Sequence, residues 1–289
     1  MLVKPLTLAE AITAAEHELS LAAVADSRLN AELLAAHLFG LWTRAEVRER
    51  YNDKLSQQDL DRYQSFIRRR INHEPLQYIT GETEFFGLRL YTSPQVLIPR
   101  ADTEILVEET LKEAGRGDLR ILDIGTGSGC IALALASKLP DAKIIGIDSS
   151  AEAISLAEKN KRRCGFTNVE FWQSDLYNDA DLNKLGVFDL IVSNPPYIPL
   201  GEYLTLDKEV QAFEPRSALT DEGDGLSFYR RIFSVIPSLL KPGGKLLVEI
   251  GHGAADATMG LAAGLRYLRT VKDLAGVDRV ILWDESNFG

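Results

Sequence analysis

The chain has 289 residues, of which 45% are apolar, enough to form a substantial core divided between two domains. Its formal net charge is −10, which argues against free DNA or RNA as the main ligand, because phosphate binding favours a basic surface. The two cysteines and four histidines show no disulfide or metal-ligand spacing, and no apolar run approaches the ~20 residues of a membrane span. We therefore expect a cytoplasmic protein without a signal peptide, a metal site or a membrane anchor.

Residues 1–85 are predicted to form a small all-helical domain. Thr7 and Thr43 are each followed three residues later by a glutamate, the pattern of a capping box. Ser56 can cap a further helix, and Arg28–Phe39 carries leucines on one face before a glycine stop. These amphipathic helices are expected to bury their apolar faces in a small bundle.

The basic triplet Arg68–Arg70 lies near the end of a predicted helix. One interpretation is a solvated helix end, since positive charge is favourable at the carboxyl terminus of a helix. The other interpretation is a contact for a protein or RNA partner. We favour the solvated helix end.

Residues 86–289 are predicted to form a hairpin connector followed by an α/β domain. Apolar residues alternate with polar ones over 82–98, which indicates short strands around a turn at Thr92-Ser93-Pro94. Further along, apolar strand patterns alternate with helical ones, as in a parallel sheet. The predicted strands are Arg120–Ile124, Lys143–Asp148, Asn168–Trp172, Phe188–Ser193, Lys245–Ile250, Arg266–Val271 and Arg279–Trp283. The segment 241–244 between a helix and a strand is predicted to be a turn.

A glycine-rich loop, Gly125–Gly129, separates the first of these strands from a helical run. Glycines allow a tight turn and the close approach of a ligand to the backbone. The spacing is G-x-G-x-G, which differs from the G-x-G-x-x-G of dinucleotide folds and from a P-loop. The loop therefore indicates a binding site for a small zwitterion and a nucleoside and not a pyrophosphate-binding site.

Two acidic residues follow the next two strands. Asp148 ends its strand 23 residues after Gly125, where a carboxylate can accept both ribose hydroxyl hydrogens. Asp175 follows the third strand and can accept from an exocyclic adenine amine, with Leu176 against the base. Taken alone, Asp148 or Asp175 would be interpreted as a solvent-exposed acidic residue in a loop. Together they fall at the carboxyl ends of strands, where open sheets bind ligands.

The tetrapeptide Asn194-Pro195-Pro196-Tyr197 ends the strand that follows. Two prolines cannot continue a ladder, so they stop the strand and stiffen the loop in an extended form. The Asn194 side-chain oxygen and the Pro195 carbonyl can accept the hydrogens of a planar NH2 group while Tyr197 packs against its plane. An ordinary strand-to-loop stop is the alternative.

With these residues, the chain resembles a class I methyltransferase, and more narrowly the peptide chain release factor N5-glutamine methyltransferases. The resemblance covers nearly the whole chain. It is carried by 74–81, 84–87, 97–104, the glycine loop, 194–197, 213–215 and 273–276. One departure is Ala101, where that family usually has proline, which loosens a loop at the mouth of the site and removes no reacting group.

The resemblance implies a seven-stranded Rossmann-like sheet with an antiparallel last strand and S-adenosylmethionine as cofactor. Separately, we expect the chain to be a monomer. The resemblance further implies that the glutamine of the Gly-Gly-Gln loop of a release factor is methylated on its amide nitrogen. The cofactor-binding residues are then expected to be Asp123, Gly125, Thr126, Gly127, Ser128, Gly129, Asp148, Asp175, Leu176 and Asn194. The catalytic and substrate-binding residues are expected to be Asn194, Pro195, Pro196 and Tyr197, with Arg100 also binding substrate.

Alternatives remain open at this point. A nucleic-acid adenine N6-methyltransferase would present the same planar NH2 group to the Asn194–Tyr197 loop, but the acidic composition counts against it. A non-catalytic binder of release factor or ribosome is a third possibility. Glu249 at a strand end either contacts the ligands or is solvated, and Arg100 and Glu104 are candidates to pair with each other.

Overall fold

The computed structural model describes residues 6–115 and 117–285. Residue contacts divide the chain into two compact units. The helical unit extends to Gly81 and also contains Lys208–Phe213, whereas the α/β unit comprises Glu82–Asp207 and the chain from Glu214 onward. The limits of the predicted domains at residues 1 and 289 lie outside the described residues.

The α-helices were numbered in chain order. They are α1 (Leu8–Leu21), α2 (Ser27–Leu38), α3 (Arg44–Glu49), α4 (Gln57–Ile71), α5 (Leu76–Thr80), α6 (Glu104–Glu113), α7 (Cys130–Lys138), α8 (Ala151–Cys164), α9 (Asp179–Leu182), α10 (Leu200–Tyr203), α11 (Lys208–Phe213), α12 (Ser227–Leu239) and α13 (Ala255–Met259). Short 3₁₀ helices span Ala101–Thr103 and Arg216–Ala218. Across 6–115 and 117–285, no helix combines the length and the apolar character that crossing a bilayer requires.

The strands form a hairpin and a larger sheet. They are β1 (Glu82–Phe85), β2 (Leu88–Tyr91), β3 (Arg120–Ile124), β4 (Lys143–Asp148), β5 (Val169–Gln173), β6 (Phe188–Ser193), β7 (Leu240–Glu249), β8 (Leu265–Lys272) and β9 (Asp278–Glu285). The larger sheet has seven strands in the order β5-β4-β3-β6-β7-β9-β8. Strands β3 to β7 pair in parallel and β9 is antiparallel to both neighbours, which confirms the predicted sheet.

The helix starts follow the sequence signals. Thr7 and Thr43 each form a complete capping box, in which the hydroxyl accepts the N3 backbone N–H and the N3 glutamate accepts the cap N–H. Ser56 accepts the Asp59 N–H at the start of α4. These bonds satisfy backbone donors that an α-helix leaves unpaired at its first turn.

The helical unit contains a buried arginine. Arg70 is only 7% exposed, and its guanidinium donates to Asn30 Oδ1 at 2.9 Å and to Glu209 Oε2 at 2.9 Å. Glu209 belongs to α11, so this ion pair helps to hold α11 in the helical unit. The interpretation of the basic triplet as a solvated helix end is wrong for Arg70, because tertiary partners bury it.

Both faces of the seven-stranded sheet are covered. Alternate residues of the central strand β3 point to opposite faces, so that Ile121 joins one core cluster and Leu122 the other. The first cluster is closed by α6, α7 and α8, and the second mainly by α12. Because both faces are buried, the strands read as nearly continuous apolar runs in the sequence.

The predicted connector is an antiparallel hairpin of β1 and β2. Its turn lies at Phe86 and Gly87, so the predicted turn at 92–94 is wrong. Both residues have positive φ, at 52° and 74°, the backbone of a type I′ turn. The Phe86 N–H donates to Glu104 Oε1 at 2.7 Å, which pins this strained residue. The structure places 82–85 in this hairpin and in the α/β unit, whereas the sequence placed them with the helices, because a four-residue strand carries little periodic signal.

Strand β7 is longer than predicted. The segment 241–244 lies within the strand, where it forms an irregularity: Phe188 pairs with Leu240 and Leu190 with Lys245. The extra residues oppose a single position of β6, as in a large bulge. Proline and glycine thus mark a bulge here and not a turn.

Candidate active site

A cleft of about 280 Å³ lies in the α/β unit, at the carboxyl ends of β3, β4, β5 and β6. Ligands of open α/β sheets bind at this edge. Most of the predicted site residues line the cleft: Arg100, Gly125, Thr126, Gly127, Ser128, Asp148, Asp175, Leu176, Asn194, Pro195 and Pro196. Asp123, Gly129 and Tyr197, which the structure also describes, are not among the lining residues.

The glycine loop is fixed to the neighbouring strand by backbone bonds. The N–H groups of Gly125 and Thr126 both donate to the Ile147 carbonyl at 2.9 Å. Gly129 has φ +81°, and a Cβ at this position would lie 2.8 Å from Phe171 Cζ. Glycine is therefore needed at 129 for close packing beneath the loop, and its contact with the cofactor stays a prediction.

Asp123 is buried beneath the glycine loop and accepts a hydrogen bond from it. Its side chain is fully buried, and Thr126 Oγ1 donates to its Oδ2 at 2.7 Å. Its Oδ1 has no hydrogen-bond partner. Burial raises the pKa of Asp123 to about 7, and the nearby Asp148 charge adds to the rise. Asp123 thus supports the loop through Thr126, and its contact with the cofactor stays a prediction.

Asp148 stands in the cleft with both carboxylate oxygens oriented by the backbone. Oδ2 accepts from the Gly127 N–H at 3.0 Å and Oδ1 from the Ser150 N–H at 3.0 Å. Burial raises the pKa of Asp148 above its ordinary value, although these bonds favour the charged form. Each carboxylate oxygen can accept a second hydrogen, so the pair can still receive two hydroxyl donors from a ligand.

The other cleft residues suit an amphipathic ligand. The hydroxyls of Ser128 and Ser174 line the cleft, are buried and have no hydrogen-bond partner. Buried polar atoms without partners are rare in folded proteins, so these two call for a polar ligand. Leu176 and Ile147 provide apolar surface in the same cleft, and Asp175 supplies an exposed carboxylate. A nucleoside with a charged amino acid tail fits this combination.

The loop after β6 carries the amide predicted to hold the methyl acceptor. Ser193 Oγ donates to the Ile124 carbonyl at 2.8 Å and ties the end of β6 to that of β3. Asn194 Nδ2 donates to Thr103 Oγ1 at 3.0 Å. This bond consumes one amide hydrogen and leaves Asn194 Oδ1 as an acceptor on a residue that lines the cleft.

Tyr197 is placed differently from the prediction. Its hydroxyl donates to Glu249 Oε1 at 3.3 Å, and burial, with the Glu249 charge, raises the pKa of Tyr197 well above its ordinary value. A Cβ on Gly251 would lie 2.9 Å from its ring. Packing of Tyr197 against the plane of a bound amide therefore stays a prediction, and the ring is positioned by Glu249 and Gly251.

A segment that precedes α12 braces the loop after β6. The Ile198 N–H donates to the Leu219 carbonyl at 2.9 Å, and the Leu200 N–H donates to the Gly223 carbonyl at 3.0 Å. A Cβ on Gly225 would lie 2.3 Å from the Tyr197 carbonyl oxygen, so only glycine fits there.

The bracing segment is itself held by one carboxylate. Asp221 accepts three backbone N–H groups, from Gly223, Gly225 and Ser227, at 2.8 to 2.9 Å. The Ser227 side chain and these backbone bonds outweigh partial burial and lower the pKa of Asp221 to about 2. The ionised Asp221 thus fixes the turn on which the loop after β6 rests.

Arg100 and Glu104 do not pair with each other. Arg100 lines the cleft and forms an ion pair with Glu214, which is buried. Glu104 instead accepts the Phe86 N–H. Arg100 therefore remains a candidate to contact substrate, whereas Glu104 supports the hairpin.

Asn160 is a supporting residue that the sequence did not single out. It is fully buried in α8, accepts the Tyr91 N–H at 2.7 Å and donates to the carbonyls of Tyr91 and Ser128 at 3.2 and 2.9 Å. It thus joins the hairpin to the glycine loop. The available signal is a polar residue on the buried face of an amphipathic helix, which needs an explanation by itself.

Two protein-family models match the chain. The model described as a methyltransferase domain matches residues 116–271, and the model described as a PrmC N-terminal domain matches residues 10–81. A methyltransferase from Pyrococcus furiosus has a similar structure, with a TM-score of 0.51 and 20% identity over 70% of this chain and 91% of that chain. Together with the sheet order and the cleft, these matches define a class I methyltransferase.

The curated relatives narrow the family. The release factor glutamine methyltransferase of Geobacter sulfurreducens is 42% identical over 260 residues, covering 89% of each chain. That of Koribacter versatilis is 39% identical over 280 residues, covering 96% of this chain and 98% of the relative. The chain belongs to the family of release factor glutamine methyltransferases. Its cofactor is the predicted S-adenosylmethionine, which the donors and apolar surfaces of the cleft fit.

Proposed function

We propose that this chain transfers the methyl group of S-adenosylmethionine to the side-chain amide nitrogen of the glutamine in the Gly-Gly-Gln loop of peptide chain release factors. The observation that carries the proposal is the orientation of Asn194. Its Nδ2 is bound to Thr103, which leaves Oδ1 to accept a hydrogen from a planar NH2 group at the cleft. Family membership supplies the identity of the acceptor.

The protein's contribution to the reaction is orientation. An amide nitrogen is a poor nucleophile, because its lone pair is delocalised into the carbonyl. Asn194 Oδ1 and the Pro195 carbonyl accept the two amide hydrogens, and Arg100 lies at the same cleft to contact the substrate. Holding both reactants in line can supply up to ~7–11 kcal/mol of the barrier reduction.

The methyl transfer needs only the two bound reactants and water as the proton acceptor. When bound, the cofactor supplies an electrophilic methyl group on a sulfonium sulfur. The new N–C bond forms as the S–C bond breaks, and the amide nitrogen then loses one proton to water. Asp148, Asp175 and the hydroxyls of Ser128 and Ser174 would hold the nucleoside and amino acid parts.

The helical unit is proposed to bind the body of the release factor. The match of residues 10–81 to a model described as a PrmC N-terminal domain supports the assignment. We further propose that the chain acts as a monomer in the cytoplasm and does not bind DNA directly. The net charge of −10 supports the last point.

A labelling assay tests the proposed function. The purified chain is given radiolabelled S-adenosylmethionine with a release factor, with the variant of that factor whose loop glutamine is alanine, or with plasmid DNA. We expect label on the unaltered factor and none on the variant or the DNA. Label on DNA would support the adenine methyltransferase, and label on none of the three would overturn catalysis of either kind.

A further inference from the structure

Glu214 is a buried carboxylate beside the cleft. Its side chain is 2% exposed, and it lies in the loop between α11 and the 3₁₀ helix Arg216–Ala218. Its Oε1 accepts a hydrogen bond from Arg100 Nη2, whereas its Oε2 is buried and has no hydrogen-bond partner. Burying a carboxylate is costly, so this one calls for an explanation beyond packing.

Arg100 brings this ion pair to the cleft. Its side chain is 40% exposed and lines the cleft, as does Pro215, the residue after Glu214. Within residues 6–115 and 117–285, Arg100 is the one basic residue among those that line the cleft. A guanidinium carries several N–H donors, so the bond to Glu214 leaves others for a ligand.

The backbone of Arg100 is tied to the residue that is proposed to bind the acceptor amide. The Thr103 N–H donates to the Arg100 carbonyl at 3.1 Å, and Thr103 Oγ1 accepts from Asn194 Nδ2 at 3.0 Å. Thr103 therefore connects Arg100 to Asn194 through hydrogen bonds, and all three residues line the cleft. An acceptor for an NH2 group and a guanidinium donor thus belong to one site.

A carboxamide has an oxygen as well as an NH2 group, and Asn194 Oδ1 and the Pro195 carbonyl serve only the NH2 group. The carbonyl oxygen of the acceptor needs a donor, which Arg100 can supply. A guanidinium without a counter-ion would bind a carboxylate more strongly than a carboxamide, because hydrogen bonds between charged groups are stronger than those to neutral ones. The Glu214 charge removes this advantage, since it repels a second carboxylate.

We propose that Arg100 donates to the carbonyl oxygen of the acceptor amide, and that Glu214 is a positioning residue that cancels the Arg100 charge and so selects a carboxamide over a carboxylate. This inference rests on the proposed function, because it takes glutamine as the acceptor. Glu214 acts through Arg100 and is not among the residues that line the cleft.

The first test is Glu214→Gln, which keeps the shape of the side chain and an oxygen for Arg100 but removes the charge. Calorimetry with saturating S-adenosylhomocysteine measures the binding of a release factor and of its loop variants Gln→Glu and Gln→Ala. The pH is 8, where the loop glutamate is ionised.

The wild type should bind the glutamine form at least ~10-fold more tightly than the glutamate form. In Glu214→Gln, the glutamate form should gain at least ~10-fold relative to the alanine form, because Arg100 then keeps its full charge. The glutamine form should change by less than about threefold, since a neutral carboxamide responds weakly to that charge.

Arg100→Met tests whether Glu214 acts through Arg100. It removes the donor, so the glutamine form should bind at least ~5-fold more weakly. The double variant Arg100→Met/Glu214→Gln should lack the gain of the glutamate form over the wild type, because both proteins have no net charge at this position. A gain as large as that of Glu214→Gln would overturn the role of Arg100.

Glu109→Gln is the matched control. Glu109 pairs with Arg269, and their side chains, 6% and 42% exposed, resemble those of Glu214 and Arg100 in burial. Neither Glu109 nor Arg269 is among the residues that line the cleft. The relative affinities for the glutamine and glutamate forms should therefore stay at the wild-type values. Denaturant unfolding verifies that both glutamine variants are folded.

Three results would each overturn the proposal. They are unchanged relative affinities in Glu214→Gln, an equal change in Glu109→Gln, and a wild type that binds the glutamate form as tightly as the glutamine form. If the wild type fails to label the release factor while Glu214→Gln still gains the glutamate form, the proposed function fails alone. Labelling of the release factor with unchanged relative affinities would instead remove this inference alone.

Discussion

The glycine loop and the Asn194–Tyr197 loop border the same cleft, but they are held in different ways. The glycine loop is fixed by backbone bonds to Ile147 and by close packing of Gly129 on Phe171. The loop after β6 is held by side chains and turns from other parts of the chain. A cofactor-binding loop can thus be encoded in a few consecutive residues. A binding site for an acceptor amide instead needs supporting residues that are distant in the sequence.

The largest expected effect concerns Asp123 beneath the glycine loop. Its raised pKa of about 7 means that the folded protein holds this proton more tightly than the unfolded chain. Its contribution to stability is therefore present at pH 4 and lost as pH rises toward 7. Relative to Asp123→Asn, the free energy of unfolding should fall by up to about 4 kcal/mol between pH 4 and 8.

Denaturant unfolding of both proteins at several pH values measures this difference. The matched control is Asp221→Asn, at a carboxylate whose pKa is lowered to about 2. Its difference from the wild type should stay constant between pH 5 and 8, because Asp221 is ionised throughout. A constant difference for Asp123→Asn as well would show that the Asp123 carboxyl is already charged at pH 4.

The next largest effect is expected at Asn194, in the loop that is predicted to hold the acceptor amide. Asn194→Ala removes the acceptor oxygen and should cut the single-turnover rate at least ~100-fold while cofactor affinity stays within a few fold. The control is Asn168→Ala, at an asparagine that donates to the Leu139 carbonyl and does not line the cleft. An unchanged rate for Asn194→Ala would place the acceptor elsewhere.

Gly129→Ala should damage the cofactor side selectively. Its Cβ would collide with Phe171, and the positive φ adds backbone strain, so the loop must shift. We expect calorimetry to show at least ~10-fold weaker S-adenosylhomocysteine binding. Gly165→Ala also has positive φ but meets nothing within 4 Å, so it should lower stability alone. Equal binding by both variants would contradict the packing argument.

The smallest effect is expected at Asp221. Asp221→Ala releases three backbone N–H groups and loosens the turn beneath the loop after β6. We expect a rate loss of roughly fivefold with cofactor affinity unchanged, a cost typical of a lost support bond. Weaker cofactor binding without a rate loss would reverse the assignment of this turn to the acceptor side.

The elements that set the fold were predictable from local patterns. The apolar runs of β3, β4 and β6 and the capping boxes at Thr7 and Thr43 match the structure within a residue or two. These signals are local, since a strand buried on both faces and a helix cap each involve neighbouring residues. Strand β1 was placed with the helices because four residues carry little periodic signal, and the bulge at 241–244 was missed because it is defined by pairing with the distant strand β6.

The site was predictable where it depends on backbone and motif. The glycine loop, Asp148 and Asn194 lie at the cleft as expected. The hydrogen bonds from Asn194 to Thr103 and from Tyr197 to Glu249 could not be predicted, because the partners are separated by 91 and 52 residues in the chain. Only the folded sheet brings them together.

The position of Lys208–Phe213 in the helical unit has a consequence for how the protein can be dissected. The polypeptide leaves the α/β unit at this point and re-enters it within a few residues, so no single cut separates the two units. A fragment ending at Gly81 would leave the buried Arg70 guanidinium without its Glu209 counter-ion. Fragments of either half are therefore poor proxies for the intact enzyme, and point substitutions are the sounder tool for assigning tasks to each unit.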